Sequence, residues 1–536
     1  MALWRRLGRL GSRRKRAEAD EIVTSVIPVL IGVGQFTYRG DPAVSPSPTA
    51  LLKIAAERAA ADAGVGAAGL AAIDALAVAG FTVDAQGSRR VMPHSTNPPA
   101  SLAKRIGANP RWSVYSHMGG NTPQYLINTL AERIARGETE LGLTVGAEFL
   151  GSAMKRLTKG LSFDDWAAEE DLDLPAPERI GDPRPGVTPY EARHGLNRPI
   201  NIYPMFENAL RARDGRGVEA HQQRIGKLFS AFTEVAAKNP EAWFPIARSP
   251  EELVAVSEKN RMIGFPYPKL VNAIMEVDQS AAVLIASEAK ARELGVPEDK
   301  WIYLHGCADA ADLWNPIDRQ DYHSSPAMRW TGKRAFEMAG VGLDAVRHID
   351  LYSCFPVAVE VGAEELGLAL DDPRGLTVTG GLPYAGGPGN NYVMHSIATM
   401  AGKLRAEREA YGLITANGWY LTKQSTGIYS AKRPDKPFER EDPAVLQRQI
   451  DALPHPDVTE TPQGRGVIET YTVVHRREGP FMGIVVGRDA AGRRFLAQTP
   501  DDPATLADLE RGEQVGRSGQ VQAGAGETPI NLFTPD

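Results

Sequence analysis

The residues of this chain whose types and spacing can do chemistry are a histidine in a glycine turn, a cysteine after a tyrosine–serine pair, and a run of glycines and asparagines. "YSHMGGNTPQYLINTLAERIARG", residues 115–137, sets His117, Gly119, Gly120 and Asn121 between a strand-like stretch and a helix-like one. A strand that turns tightly into a helix leaves free amide donors at the positive end of a helix dipole, which is where a nucleophile or an anion is steadied. The turn holds no cysteine, so its reactive group is the His117 imidazole, acting as a base or transient acceptor; a hydrogen-bonded structural imidazole is the alternative. Cys354 in "DLYSCF", preceded by Tyr352 and Ser353, reads either as a nucleophile at a strand end or as a buried spectator thiol. "YAGGPGNNYVMHSIA" supplies Gly386, Gly387, Gly389, Asn390, Asn391 and His395, and "TANGW" adds Asn417. Glycines admit close backbone approach. The asparagines can donate to a ligand oxygen or serve as turn and cap residues, and His395 is a proton carrier or a helix-packing residue.

Several chemistries are excluded. No histidine or cysteine has HExxH or CxxC companions, so no metal is expected. "GVGQF" lacks the third glycine and following helix of a dinucleotide fingerprint. A net charge of −6 over 536 residues gives no reason to expect nucleic acid. Cys307 and Cys354 are too few for a disulfide framework and suit a reducing cytoplasm. "IVTSVIPVLIGVG" is too short to span a membrane and reads as a first strand. The opening "MALWRRLGRLGSRRKR" carries six Arg and one Lys without an acid, and residues 1–26 are expected to be a basic, disordered tail.

The elements that must position these residues follow from periodicity. From residue 27 to 150, β-rich runs alternate with amphipathic helices, and a second such series runs from 276 to 430, so the fold class is α/β, with parallel sheets expected and two duplicated halves. Asn121 is expected to cap the helix after the turn, with Gln124 as capping-box partner and Leu126, Leu130 and Ile134 on its buried face. Residues 151–275 form a long insertion of the kind that covers a site, with "QRIGKLFSAFTEVAAK" helical and the acidic "FDDWAAEEDLD" read as a solvated face. Residues 431–465 are a charged, proline-containing linker. Residues 466–536 change to short strands, with a helix starting at Asp502, as in a small barrel of the oligonucleotide/oligosaccharide-binding type.

The duplicated halves, "LGLTVGAEFL", "VNAIMEVDQSAAVLIASEAKARELGV" and "LTVTGGLPYAGGPGNN" resemble the thiolase superfamily over roughly residues 27 to 430. "NIYPMFENALRARDGRG", and "DLYSCF" where relatives carry His-Asp-Cys-Phe, resemble sterol-carrier-protein-X-type thiolases, and the final β unit is similar to the additional C-terminal domain of the thiolase-like protein type 1 group. The resemblance implies a five-layer αβαβα fold of two mixed sheets with coenzyme A under the insertion. It also implies a cysteine–histidine–cysteine catalytic set, from which this sequence departs: His117, Gly387 and Ala416 stand at the matching positions. Loss of one member of such a set can cost about a million-fold in turnover, so ordinary thiolase chemistry is not expected. What the resemblance implies is an acyl-coenzyme-A-processing acyltransferase of lipid metabolism, similar to acetyl-CoA acetyltransferase, with replaced catalytic groups. The alternative is a non-catalytic acyl-CoA-binding or scaffold protein. On either reading acyl-CoA is substrate or ligand rather than a permanently bound cofactor. The candidate catalytic residues are His117, Cys354, His395 and Asn417. The ligand-binding ones are Gly119, Gly120, Asn121, Tyr352, Ser353, Gly386, Gly387, Asn390 and Asn391. A homodimer is suggested by the resemblance and a monomer stays open; neither nucleic acid nor stable membrane insertion is expected.

Overall fold

The structure, a computed structural model, describes residues 26–86 and 91–536. The tail expected over residues 1–26 thus lies, Val26 apart, outside the described residues. A first sheet has the spatial order Pro28–Thr37, Asp278–Ser287, Leu141–Phe149, Ala75–Val78, Trp112–Ser116, Arg179–Ile180. A second has the order Val346–Asp350, Tyr411–Gly418, Lys423–Ser430, Tyr303–Ala311. The parallel expectation is corrected, because both sheets are mixed. Asp278–Ser287 leaves the insertion at the opposite end of the first sheet and runs antiparallel to both neighbours, and a hairpin makes Tyr411–Gly418 and Lys423–Ser430 antiparallel.

Two helices, Thr122–Ala135 and Tyr392–Ala406, lie between the sheets and touch each other, which explains why their apolar residues run round more than one face. Pro48–Ala63 and Pro98–Ile106 cover the outer face of the first sheet, and Pro326–Ala339 that of the second. These are the five layers of a thiolase-like fold. Leu126, Leu130 and Ile134 are fully buried as expected. The capping box is not formed: Asn121 makes no side-chain cap, and Gln124 instead donates to Asn128 Oδ1 (2.7 Å) and accepts from the Tyr429 hydroxyl (2.8 Å). Deep burial between sheets makes those cross-layer partners worth more than a local cap.

Three sequence readings change. "LTVTGG" forms no strand, because the buried Asp350 carboxylate takes the Val378 amide (2.9 Å) and the Thr377 hydroxyl (3.0 Å). In "FDDWAAEEDLD", Trp166 is buried and the Glu170 carboxylate accepts from the amides of Thr49 (2.8 Å) and Ser95 (2.9 Å), so the segment is not merely a solvated face. The charged linker contains a helix, Pro443–Asp451, whose Leu446 and Ile450 pack on Ala327, while the Gln447 amide bonds both backbone groups of Ala311.

In the C-terminal region, Gln463–Arg476, Gly479–Asp489, Arg494–Gln498, Leu532–Pro535 and Ser518–Gln522 close a five-stranded barrel, with the helix Pro503–Leu509 capped by Asp502. The barrel does not hang free. Gly264 of the insertion pairs with Val474, Asn208 Nδ2 donates to Tyr471 O (3.0 Å), and the Thr470 hydroxyl donates to Met205 O (2.6 Å). No helix among the described residues is long and apolar enough to cross a membrane.

Candidate active site

The strand Trp112–Ser116 ends at a turn, Met118–Asn121, that meets the hairpin turn Trp419–Thr422 of the second half. A cavity of about 510 Å3 lies where the two turns, the insertion helix Pro199–Arg213 and the Tyr352–Phe355 segment come together. Gly120 is a residue type that the packing demands: a Cβ there would lie 2.1 Å from the Tyr352 hydroxyl and 2.6 Å from Asn417 O. Trp419 and Leu421, neither of them glycine, both sit at φ 55°, a strained left-handed backbone. Tyr203 holds them there. Its hydroxyl donates to Trp419 O (2.9 Å) and accepts from Leu421 N (3.2 Å) and Asn417 Nδ2 (2.9 Å), while its ring stacks on Phe355 with 4.4 Å between centroids.

The cavity brings together Gly119, Gly120, Tyr352, Cys354, Gly387, Asn390 and Asn417. It does not include the others. His117 and Asn121 face a separate outer cleft of about 540 Å3, on the far side of the Met118–Gly120 turn. His117 is therefore corrected as a group poised over the cavity; burial, then Arg179 and Lys423, lower its pKa. His395 does not replace the missing histidine in space. Its Nδ1 is 2.9 Å from Gln35 Oε1, and burial pushes its pKa down to about 3, so it packs helix against strand. Asn391 Nδ2 donates to Gly146 O (2.7 Å), Ser353 Oγ accepts from Leu382 N (3.3 Å), and Gly386 packs on Gln279, all off the cavity surface.

Within the cavity the two asparagines are held by partners and the Tyr352 hydroxyl is not. Asn390 spans the wall, its Oδ1 accepting from Gly119 N (2.8 Å) and its Nδ2 donating to Gly80 O (2.6 Å). Asn417 is bound to Tyr203, so neither asparagine keeps its amide N–H aimed at a ligand. Burial pushes the Cys354 thiol up to about 12, leaving on the order of one molecule in 10⁵ as thiolate at neutral pH, which disfavours a relocated nucleophile. The Tyr352 hydroxyl, in contrast, makes no hydrogen bond to any described residue although Tyr352 is 7% exposed and lines the cavity; burial holds it well above the usual tyrosine range, a neutral O–H donor.

Sequence reasoning missed Tyr203, Trp419, Tyr420, Arg198 and Lys423. Arg198 is exposed at the cavity rim and pairs with no acid among the described residues. Lys423 is 8% exposed; its ammonium donates to Met118 O (2.7 Å) and Asp182 O (3.0 Å), and burial lowers its pKa to about 8. The aromatics crowded into "ANGWYLTK" are the signal that could have found Trp419 and Tyr420.

Among the described residues, one buried group set has ligating atoms near enough for a metal: Glu207, His221 and Glu360, within 4.8 Å of one another. The Arg216 Nε donor lies 3.1 Å from His221 Nδ1, so the ring proton belongs on Nε2, facing Glu207. A metal on Nε2 would drive that proton to Nδ1, against the guanidinium. Arg224 bonds Glu360 Oε1 (2.6 Å), and burial followed by the Glu207 charge pushes Glu360 up to about 8. The set shares protons rather than fitting a cation.

The family model for the thiolase-like protein type 1 additional C-terminal domain matches residues 445–525. No curated protein matches the sequence. Among solved structures, a crystal structure of a monomeric SCP2-thiolase like protein type 1 from Mycobacterium smegmatis is similar at 37% identity, with a TM-score of 0.81, covering 96% of this chain and 99% of that one. The Ltp2-ChsH2(DUF35) aldolase (19% identity, TM-score 0.56, 76% of this chain and 98% of that one) shares the fold. So does the acetyl-CoA acetyltransferase of Syntrophomonas wolfei (16%, 0.53, 76% of this chain and all of that one). With the match running nearly end to end and the barrel recognised separately, the chain belongs to the thiolase-like protein type 1 family.

Proposed function

We propose that the cavity binds the acyl end of an acyl-CoA thioester and does not acylate itself in the manner of a thiolase. The observation that carries this is the Tyr352 hydroxyl, a neutral donor beside the Gly120 turn with no partner among the described residues, suited to a thioester carbonyl oxygen. Apolar walls from Ile200, Leu382 and Met275 suit the acyl and pantetheine carbons, and Arg198 at the rim suits a phosphate. Covalent acyl transfer is the weaker reading, since Cys354 is held as a thiol and His117 faces the other cleft. A monomer in a reducing cytoplasm accompanies this proposal: the edge strand Trp112–Ser116 is already paired with the chain's own Arg179–Ile180, and the similar M. smegmatis protein is described as monomeric.

Calorimetry with acetyl-CoA and with the thioether S-ethyl-CoA, which lacks the carbonyl, tests the reading. A neutral hydrogen bond contributes about 1 kcal/mol, so acetyl-CoA is expected to bind roughly 5- to 10-fold tighter, and Tyr352→Phe to remove the difference. No binding of either at millimolar concentration overturns it. Robust acetoacetyl-CoA thiolysis, free of host thiolase, overturns the absence of thiolase chemistry.

A further inference from the structure

The outer cleft of about 540 Å3 holds a lysine whose hydrogen bonds suit an amine better than an ammonium. Lys423 Nζ donates to two backbone carbonyls, Met118 O at 2.7 Å and Asp182 O at 3.0 Å, and has no carboxylate partner among the described residues. An ammonium carries three N–H donors and leaves one unanswered here; a neutral amine carries two, both used, and keeps its lone pair free. The two acids that line the cleft are committed elsewhere. The Asp182 carboxylate takes two donors of Arg184, at 3.0 Å and 2.7 Å, and Asp309 pairs with Arg440. Nζ lies 5.4 Å from the ring centroid of Trp314, which lines the cleft as Asp182 does, so the amine sits between two residues of the cleft wall.

We propose that the outer cleft is a covalent capture site for small neutral aldehydes, with Lys423 Nζ as the nucleophile. The amine lone pair attacks the aldehyde carbon, and the carbonyl π pair moves to oxygen. A proton passes from nitrogen to that oxygen through solvent, and the hydroxyl leaves as water while the nitrogen lone pair closes the C=N bond. Counted from the ammonium, one lysine and one aldehyde give one iminium and one water, with no proton gained or lost. The iminium keeps a single N–H, so one backbone contact is given up. Asp182, half-buried at the cleft, has the carbonyl that water can answer.

Size and charge choose the ligand. A lysine 8% exposed admits an aldehyde carbon, flanked by one hydrogen, ahead of a ketone carbon flanked by two carbons. Arg184 is held by Asp182 and lies 3.8 Å from the Trp314 ring centroid, so it is no free anchor for a carboxylate on the ligand. Burial, opposed by Asp182 and helped by Arg184, lowers the Lys423 pKa to about 8, and His117 on the same cleft is neutral at that pH. About a quarter of the lysine is then unprotonated at pH 7.5, against about a thousandth for an ordinary lysine.

Reductive trapping of the full-length protein with limiting propanal and sodium cyanoborohydride, followed by peptide mapping, decides it. At pH 7.5 Lys423 is expected to be alkylated at least ~10-fold faster than the exposed Lys104 and Lys333, its larger amine fraction outweighing the hindrance of burial. Its rate should level off above a pH of about 8 while theirs keep climbing, a profile that a merely structural lysine does not give. The ratio of Lys423 to Lys333 labelling should be larger with propanal than with the carboxylate-bearing glyoxylate. Lys423→Arg, shown to be folded by its melting curve, should lose the fast phase. Labelling of Lys423 no faster than that of Lys104 and Lys333 overturns the inference, as does a rate that climbs in parallel with theirs, or a fast phase that survives Lys423→Arg. A larger ratio with glyoxylate overturns the neutral ligand class. Each of these outcomes leaves acyl-CoA binding in the inner cavity standing.

Discussion

The two hollows on either side of the Met118–Gly120 turn differ in the kind of group they hold. The outer cleft holds two bases, His117, whose pKa is lowered by burial and by Arg179 and Lys423, and Lys423, whose pKa burial lowers to about 8. The inner cavity holds asparagines together with a tyrosine, Tyr352, and a thiol, Cys354, that burial keeps neutral, with Arg198 only at its rim. A thiolase-like reaction needs both sorts of group in one place. Here one turn of backbone, tied down by the Lys423 ammonium on one side and by Asn390 on the other, keeps them apart. The lesson is that a preserved turn geometry does not preserve reactivity; what the inner cavity retains is shape and hydrogen bonding.

The most direct way to break the comparison is Gly120→Val. Its side chain would press on the Tyr352 hydroxyl and Asn417 O, and overpacking of about 1–3 kcal/mol predicts a roughly 10- to 100-fold loss of acetyl-CoA affinity by calorimetry, with little change in the outer cleft. Glu360→Gln acts one layer behind the inner cavity. Glu360 has a folded-state pKa near 8, above its unfolded value, so its stabilising contribution is complete below pH ~4.5 and is lost as pH rises through 8. Wild-type melting temperature should fall between pH 6.5 and 8.5, with Glu360 accounting for on the order of 1–2 kcal/mol of it, and the variant should flatten that fall. A fall of equal size in both proteins would assign the titration to Glu148 and Glu191, which are held at about 7. Cys354→Ser should change acetyl-CoA affinity by less than about threefold, and acyl labelling followed by peptide mapping should leave Cys354 unmodified at pH 7.5. The smallest effect belongs to His117→Ala. Its affinity for acetyl-CoA should stay within about twofold of wild type, because the ring faces the other hollow; a larger loss would join the two spaces functionally.

Much of the scaffold was legible in the sequence. The helix after the turn and the strands Pro28–Thr37 and Leu141–Phe149 carried clear apolar periodicity and read correctly, as did the helix at Asp502. Strand direction did not, because nothing local in "DQSAAVLIAS" records that it enters its sheet antiparallel after a long excursion. "LTVTGG" has strand composition, and only the distant Asp350 carboxylate explains why it forms none. At the site, the motif residues near the turn were found by type, yet His117 and Gly119 are two positions apart and face different hollows. Side-chain direction in an irregular turn has no period to read. Tyr203 and Lys423 escaped because each acts across the chain, one from the insertion onto Trp419 and the other from the second half onto Met118.

The seam between helix Pro199–Arg213 and the barrel strand Gln463–Arg476 has a consequence for synthesis. A ribosome has completed every residue named in the cavity once it passes Asn417, Trp419 and Tyr420, well before it reaches Thr470, Tyr471 and Glu513. Yet the helix that carries Tyr203 gives its Asn208 amide to Tyr471, receives the Thr470 hydroxyl at Met205, and pairs Arg211 with Glu513. Until the barrel strands leave the exit tunnel, that helix has exposed apolar surface and unanswered polar groups. The nascent chain therefore completes its ligand site only after Thr470, Tyr471 and Glu513 have emerged, and a truncation before residue 463 should yield both duplicated halves without a properly held Tyr203 latch.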